Sequence, residues 1–476
     1  MGNSPHVVSI HIIDDDSLLN IFCLYRPLFL GEDDDSYRLQ GGRAPWDRGR
    51  WWYGIAHVCQ RWRNLILGSA SYMRLSLVCT NGTPVEKMLA NSPPLPLTVD
   101  YGGEDSIAAE NEKNISLALQ QRDRLRHLRL TFPVQNLRRF IVAIDGEYPI
   151  LEYLILESRA VSNTALMLPE TLQAENLRHL SLTGFACPIR PRLHPTAPGL
   201  VTHSLIVNHP SAYIQPNILL QWISFMPRLE RLAILFTSPI SNSDVERQLT
   251  HTPITTHIKL PNLLLFWFGG VSVYLETVIC RITTPRLEQL LIQLPEQHTF
   301  SVSSLRQFMN TIENLRFDKA VIMFEDKKIN FLMSFREADA YAFVVTVDCW
   351  NFDRQVSSAA QISDEFSQVF SAVEHLTLRR DVHRQIYEEH LGVNRIQWRG
   401  LLKSFNNVKT LRVEDGLVRR LSRCLRLEGE KLPLELLPEL QELTYFESHD
   451  DSGAFTSFIG SRRKAGRPVT LFCRRP

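Results

Sequence analysis

The chain lacks the features that would assign it to several large classes of protein. No apolar run approaches the roughly 18 residues of a membrane-spanning helix, and the N-terminus lacks the charged start and apolar stretch of a secretory signal. Its 52 basic and 51 acidic residues leave a net charge of +1, which gives no general attraction to nucleic acids or anionic membranes. We therefore expect a cytoplasmic or nuclear protein whose partners are neither membranes nor nucleic acids.

Motifs for catalysis and cofactor binding are also missing. The sequence contains no Gly-x-Ser-x-Gly elbow, no Gly-x-x-x-x-Gly-Lys phosphate loop and no Gly-x-Gly-x-x-Gly fingerprint. Its eight cysteines include no Cys-x-x-Cys pair, and His383 and His390 have a poor spacing for a metal. We expect free thiols in a reducing compartment, no catalytic, cofactor or metal site, and no enzymatic activity.

What the chain does contain, from about Thr98 onward, is a repeated Leu-x-x-Leu-x-Leu template in which other apolar residues are tolerated. The first three copies begin at residues 125, 151 and 177, a spacing of 26 residues. The nine clearest copies begin at Leu125, Leu151, Leu177, Leu229, Leu263, Leu287, Val373, Val408 and Leu440. Diverged copies are expected near Leu200, Leu315 and Phe343.

A short strand that recurs at this period is typical of a leucine-rich-repeat solenoid. Alternate strand residues point inward, and each strand buries its inward row by stacking on the next strand. We therefore predict an α/β fold with an irregular solenoid over residues 76–476. The alternative is an ordinary α/β protein in which such triplets arise by chance.

The residue between the last two template positions of each copy should face the concave side of such a solenoid. In four copies this residue is apolar: Ile155, Ala233, Trp267 and Leu291. We predict that these four residues bind a target protein, with Trp267 as the anchor, because large aromatic residues dominate binding hot spots. A loop that covers the strip, or a register shifted by one residue, is the alternative.

Three further segments of the chain give local predictions. The acidic run Glu32–Asp35 is typical of a solvated loop, and the prolines between residues 186 and 216 indicate a surface excursion or a diverged repeat. The basic cluster at Arg462, Arg463 and Lys464 predicts a solvated helix end, followed by a turn and a last strand.

The N-terminal segment contains two amphipathic patterns. In the first, Leu18, Leu19 and Phe22 fall on one helical face beside Ile21, after a run from Asp14 to Ser17 that can cap the helix. In the second, apolar residues recur every three or four positions and predict one helix of about four turns; they are Trp51, Ile55, Val58, Trp62, Leu65 and Ile66. These helices have more apolar surface than they can bury against each other. They either cap the following domain or bind another protein.

These two patterns resemble the F-box, a helical module that attaches proteins to a ubiquitin ligase. Ile13, Leu18, Leu19, Ile21 and Phe22 match its first helix, and Val58, Cys59, Trp62, Leu65 and Ile66 match its second. Asp14 replaces the usual proline, and the connection from Leu24 to Arg50 is longer than usual. The acidic insert and the Trp51-Trp52 start are similar to F-box-like proteins of mushroom-forming fungi.

The resemblance implies an F-box-like helical module at residues 1–75, followed by the repeat region. It also implies that these ten matching residues bind the Skp-type adaptor of an SCF-type cullin-RING ligase, while the repeats hold a target for ubiquitin-dependent degradation. The alternative is a repeat scaffold whose F-box remnant does not bind the ligase. An enzyme whose catalytic residues meet only in the folded chain is a third possibility.

Overall fold

The computed structural model describes residues 13–25, 50–103, 107–159, 165–186, 197–209, 212–237, 245, 256–295, 300, 302–312, 315, 317–335, 341–381, 395–414, 416–425, 436–446 and 453–474. The predictions for the acidic run at 32–35, the prolines between 188 and 195 and the two histidines at 383 and 390 lie outside these residues. The chain divides into two compact units. The first is Met1–Gly184 with Arg190–Ala197, and the second is Phe185–Ile189 with Pro198–Pro476.

The predicted α/β class is confirmed, because the described residues form 14 α-helices together with 20 strands that are mostly parallel. The strands alternate buried and half-buried residues, as Leu97–Gly102 and Tyr153–Ser158 do. This alternation places one side of each strand in the core and leaves the other side open. The boundary predicted after residue 75 stays a prediction.

The first unit places its helices before and between the strands of a parallel sheet. Its helices are α1 (Asp15–Tyr25), α2 (Trp51–Ala56), α3 (Gln60–Gly68), α4 (Val85–Asn91), α5 (Ala109–Leu119) and α6 (Val134–Ala143). Its strands are β1 (Leu77–Cys79), β2 (Leu97–Gly102), β3 (Leu125–Phe132), β4 (Tyr153–Ser158), β5 (Leu166–Met167) and β6 (His179–Thr183). Strands β1, β2, β3, β4 and β6 pair in that order, all parallel.

The second unit has a longer sheet with the same alternation. Its strands are β7 (Phe185–Ala186), β8 (Thr202–Val207), β9 (Arg231–Phe236), β10 (Ile258–Lys259), β11 (Leu265–Gly269), β12 (Ile282–Thr283), β13 (Gln289–Leu294), β14 (Lys319–Glu325), β15 (Lys328–Ser334), β16 (Phe343–Asp348), β17 (His375–Asp381), β18 (Thr410–Val413), β19 (Glu442–Phe446) and β20 (Thr470–Arg474). Its helices are α7 (Pro216–Ser224), α8 (Ser272–Ile279), α9 (Ser303–Asn310), α10 (Phe352–Glu365), α11 (Ser367–Phe370), α12 (Arg395–Lys403), α13 (Val418–Leu425) and α14 (Thr456–Lys464). The sheet runs β8-β9-β11-β13-β16-β15-β14-β17-β18-β19-β20, and β10 and β12 form a separate parallel pair.

Each of the nine template copies gives a strand, namely β3, β4, β6, β9, β11, β13, β17, β18 and β19. All template residues of these copies are buried. The diverged copies expected near Leu200 and Phe343 correspond to β8 and β16. The inward rows of apolar side chains therefore form the core of both sheets, as the template predicts.

One part of the sheet departs from the predicted run of parallel strands. The diverged copy expected near Leu315 corresponds to β14, which pairs parallel with β17. However, β14 also forms an antiparallel hairpin with β15, and β15 pairs antiparallel with β16. Only Asp326 and Lys327 separate the two hairpin strands. Two residues can join antiparallel neighbours, whereas parallel neighbours need a crossover of a dozen or more residues.

The basic cluster near the C-terminus contains a second departure. Strand β20 and the end of α14 lie where the sequence predicts them, but Arg462 is fully buried instead of solvated. Its guanidinium donates hydrogen bonds to the carbonyl oxygens of Leu437 (3.0 Å), Pro438 (3.0 Å) and Leu440 (3.2 Å). Arg462 therefore fixes the segment that leads into β19 against α14.

We expect Arg462→Ala to destabilise this C-terminal part by about 3 kcal/mol, because three carbonyl groups lose a charged donor in a buried site. The measurement is urea unfolding together with hydrogen exchange of the amides in residues 437–446. The matched control is Arg463→Ala, since Arg463 is exposed in the next position of the same helix. Equal losses for the two variants would contradict this role.

Candidate functional site

Helix α1 begins with a side-chain cap from Asp14. The Asp14 carboxylate accepts hydrogen bonds from the backbone N–H of Ser17 (2.8 Å) and from its hydroxyl (2.8 Å). The hydrogen bond from the Ser17 N–H is the main cause that lowers the pKa of Asp14. The aspartate that stands in place of the F-box proline thus starts the helix by capping it.

The second predicted helix is two helices, so the prediction of one four-turn helix is wrong. Helix α2 ends at Ala56, and Cys59 adopts an extended conformation (φ −159°, ψ 169°) as the N-cap of α3. The Cys59 sulfur accepts a hydrogen bond from the Trp62 N–H at 3.5 Å. Val58 therefore lies in the turn between the helices and not on a continuous stripe.

Three of the ten residues predicted to bind the adaptor lie in the interior. Leu18, Phe22 and Ile66 are at most 1 % exposed, so they have no surface for direct contact with a partner in this conformation. The Phe22 ring packs edge-on against Trp62, with 4.9 Å between the ring centroids. Their burial packs α1 against α3. These three residues therefore position the exposed side chains of the two helices and do not form the exposed surface themselves.

A polar contact adds to this packing. The Arg61 guanidinium lies 2.7 Å from the Asp15 carboxylate and donates a hydrogen bond to the Ile13 carbonyl oxygen at 2.6 Å. Both partners stand at the beginning of α1. The first turn of α1 is therefore tied to the first turns of α3.

The N-terminal helices also pack on the first strand of their unit. The Trp52 indole N–H donates to the carbonyl oxygen of Ser76 (3.2 Å), next to β1. The Cys23 thiol lies 3.5 Å from the Met73 sulfur. These contacts pack the helices on the domain that follows, as the alternative of a capping role predicts.

The same helices nevertheless expose large apolar side chains. On α1, Ile21 is 42 % exposed, Leu24 86 % and Tyr25 73 %, while Val58 is 59 % exposed. Ile21, Leu24 and Tyr25 are spaced i, i+3 and i+4 and share one helical face. Sequence matching missed Leu24 and Tyr25, although this spacing would have found them.

The remaining predicted adaptor residues are half-buried beside this exposed face or in α3. They are Ile13, Leu19, Cys59, Trp62 and Leu65. The structure therefore brings seven of the ten predicted residues to positions with at least some surface.

In the second unit, three of the four predicted target-binding residues lie side by side. Trp267 on β11 is in register with Ala233 on β9 and with Leu291 on β13. The row continues through residues that the template did not identify: Val344 on β16, Leu332 on β15 and Val321 on β14. All six are half-buried on the open side of the sheet. We call these six residues the apolar strip.

A cavity of about 210 Å³ adjoins the apolar strip at the carboxyl ends of β9, β11, β13 and β16. Its lining includes Leu235, Gly269, Tyr274, Gln293, Pro295 and Asp348. Leu235, Gly269 and Gln293 form the row next to the strip, two residues further along each strand. We call this the carboxyl-edge cavity.

The glycine and aromatic residues fix the shape of this cavity. A Cβ atom at Gly269 would lie 2.8 Å from Leu235 Cδ2, so no side chain fits there without displacing the leucine. The Tyr274 ring packs against Phe236 and Phe268, with centroid distances of 4.9 and 5.8 Å. The apolar wall is therefore held by close packing.

The fourth predicted residue, Ile155, lies elsewhere. Its register partners are Arg129 on β3 and Ser181 on β6, so its neighbours are polar. Asp100 is in register with Arg129 and lies on the same row. The Arg129 guanidinium lies 3.8 Å from the Glu157 carboxylate on the adjacent row. Ile155 thus belongs to a charged surface of the first unit and not to the apolar strip.

Burial of Asp100 is the main cause that raises its pKa to about 6; the Arg129 charge lowers this pKa and the Glu157 charge raises it. On the neighbouring row, burial lowers the pKa of His127 to about 3. The His127 and Tyr153 rings pack edge-on at 4.5 Å.

The described residues hold no group of three or more His, Cys, Asp or Glu side chains that could bind a metal ion. No helix in the same part of the chain is long and apolar enough to cross a membrane.

Neither a protein-family model nor a curated protein matches this chain. The geometry of its own residues and the F-box resemblance therefore carry the functional argument.

We expect Asp100→Asn to stabilise the first unit at pH 8 and to have little effect near pH 4. An aspartate titrates near 3.9 in an unfolded chain, so a folded pKa of about 6 means that stability falls as the pH rises from about 4 to 6. The variant escapes this loss, which we put at about 3 kcal/mol from the shift in pKa. The measurement is urea unfolding at both pH values, with the exposed Asp123→Asn as control. A gain that is as large at pH 4 as at pH 8 would refute the assignment.

Proposed function

We propose that the chain is an F-box-type substrate receptor. Its N-terminal helices bind the Skp-type adaptor of a cullin-RING ubiquitin ligase, and its repeat region binds a target protein. The observation that carries this proposal is the exposed apolar face of α1, formed by Ile21, Leu24 and Tyr25 within a segment that resembles the F-box. Clustered apolar side chains of this size on a soluble surface mark an interaction site.

The adaptor surface follows from the division between exposed and buried residues. Ile21, Leu24, Tyr25 and Val58 supply direct contacts, since they have most of the free apolar area. Leu18, Phe22 and Ile66 hold α1 against α3 and set the spacing of the contact residues. The residues that match the F-box therefore divide into those that form the contact surface and those that support it.

The target surface is the apolar strip of the second unit, within an irregular leucine-rich-repeat solenoid. Trp267 is its anchor, because it is the largest side chain of the strip and has Ala233 and Leu291 beside it. Target binding here needs no cofactor and no catalytic residue.

The proposed contribution of the chain to ubiquitin transfer is proximity. A receptor that binds both adaptor and target raises the effective concentration of the target near the loaded enzyme. Well-oriented reactants in one complex react faster without new chemistry from the scaffold.

A repeat scaffold that no longer binds the ligase is the second candidate. It is favoured by the packing of the N-terminal helices on β1 through Trp52 and Ser76, which gives these helices a structural role without a partner. Adaptor binding separates the two candidates.

We expect Leu24→Asp to abolish capture of the purified Skp-type adaptor by the full-length chain. The side chain is 86 % exposed, so the substitution leaves the core intact while it places a charge in an apolar interface, where it is poorly tolerated. The measurement is a pull-down with circular dichroism as the folding check.

The matched control is Val142→Asp, because Val142 is 75 % exposed on α6 of the same unit. This variant should bind the adaptor as the wild type does. A well-folded wild type that fails to bind the adaptor would instead favour the scaffold.

We expect Trp267→Ala to reduce target capture about tenfold or more, as removal of a buried aromatic hot spot does. Quantitative mass spectrometry of proteins co-purified with wild type and variant is the measurement. The control is Phe472→Ala, which removes an aromatic residue on β20 of the same sheet. If every partner were retained equally by both variants, the strip would lose its assigned role.

A further inference from the structure

The carboxyl-edge cavity has the size of one large apolar side chain. An apolar cavity of about 150 Å³ holds a benzene molecule, and this cavity measures about 210 Å³. Its walls include Leu235, Tyr274 and Pro295, and it opens beside the row of Trp267. A phenylalanine or leucine side chain can therefore occupy it from the open side of the sheet.

Among the described residues that line the cavity, Asp348 is the one with a carboxylate. Asp348 ends β16 and is half-buried. Among the described residues, its hydrogen-bond partner is the neutral Gln293 amide, whose Nε2 donates to Asp348 Oδ2 at 3.3 Å. The nearest basic residue in register, Lys328, directs its ammonium group to the Glu325 carboxylate at 3.3 Å. The Asp348 charge is thus left for a cation from outside.

The ammonium group of Lys327 also has a partner within the chain. The Lys327 ammonium lies 4.3 Å from the centroid of the Trp350 ring. Trp350 follows β16 and is 70 % exposed. This cation–π contact gives Lys327 its own partner.

The apolar strip makes a peptide a better occupant than a small amine. Strip and cavity lie two residues apart along each strand, about 7 Å, and β9 to β16 span three strand gaps, about 14 Å. An extended segment of about five residues covers both. The strip supplies contact area that a free amine would not use.

We propose that the carboxyl-edge cavity binds an extended target segment in which lysine or arginine stands two residues after an apolar residue, because alternate side chains of an extended segment face the same side. The apolar side chain fills the space between Leu235 and Tyr274, and the cation pairs with Asp348. Neighbouring residues of the segment lie on the apolar strip at Trp267. This inference rests on the proposed function for the identity of the segment as part of a target, but not for the binding itself.

The test is fluorescence polarisation of the full-length chain with labelled five-residue peptides. The probe is Leu-Ala-Phe-Ala-Lys, amidated at its C-terminus. Two control peptides replace the lysine by glutamate or the phenylalanine by glycine. We expect binding of the probe, about tenfold weaker binding of each control, and weaker binding of the probe at high salt.

Protein variants locate the site. Asp348→Asn should weaken the probe about tenfold, while Asp364→Asn, at an exposed position on α10, should leave its binding unchanged. Thr237→Trp places an indole ring at the mouth of the cavity, where Thr237 is exposed, and should also prevent binding. Thr237→Ser is its control.

Three binding results and one competition result would overturn the proposal. The binding results are no binding of the probe, equal binding of the glutamate peptide, or unchanged binding by Asp348→Asn and Thr237→Trp. Competition by phenethylamine as strong as by the unlabelled probe would also overturn it, because the strip would then contribute nothing. The assay contains no adaptor, so a chain that fails as a ligase receptor still gives an unambiguous result here.

Discussion

The inward rows of apolar side chains are the constraint on which both sheets depend. A strand such as β11 can bury Phe266 and Phe268 only because β9 and β13 place Leu232 and Leu290 beside Phe266 in register. A parallel strand has no such neighbour in its local sequence, so each repeat relies on the next one for its core. The inward rows also decide the outward ones, since a one-residue shift would exchange the two sides of the strand. The register that places the core residues therefore also fixes the positions of the residues in the apolar strip.

The repeated strands could be predicted because leucines at alternate positions indicate side chains that point into the core. The hairpin of β14 and β15 could not, because its turn at Asp326 and Lys327 lacks glycine and its strands do not follow the template. Residues 51–66 carry helical periodicity on both sides of the break. This periodicity does not show that Cys59 lies between two helices and caps the second one. Arg462 looked like a solvated cation, because sequence does not show that three carbonyl groups converge on it.

The candidate sites were predictable to a similar extent. The side-by-side placement of Ala233, Trp267 and Leu291 follows from strand register and was foreseen. The cavity beside them was not, because it needs Asp348 from a diverged strand and a glycine at position 269, where a Cβ atom would meet Leu235. In the N-terminal helices, matching to a family pattern did not separate Leu18 and Phe22, which pack inside, from Ile21, which is 42 % exposed.

The β14–β15 hairpin has a consequence for how the second unit acquires its structure. Its two strands are joined by two residues, so pairing them closes a minimal loop and costs little chain entropy. Every parallel pair beside it must first bring together segments that are far apart in sequence, and such non-local contacts form slowly. The hairpin is therefore the natural nucleus in the middle of this sheet. Its two edges then offer templates to β16 on one side and to β17 on the other.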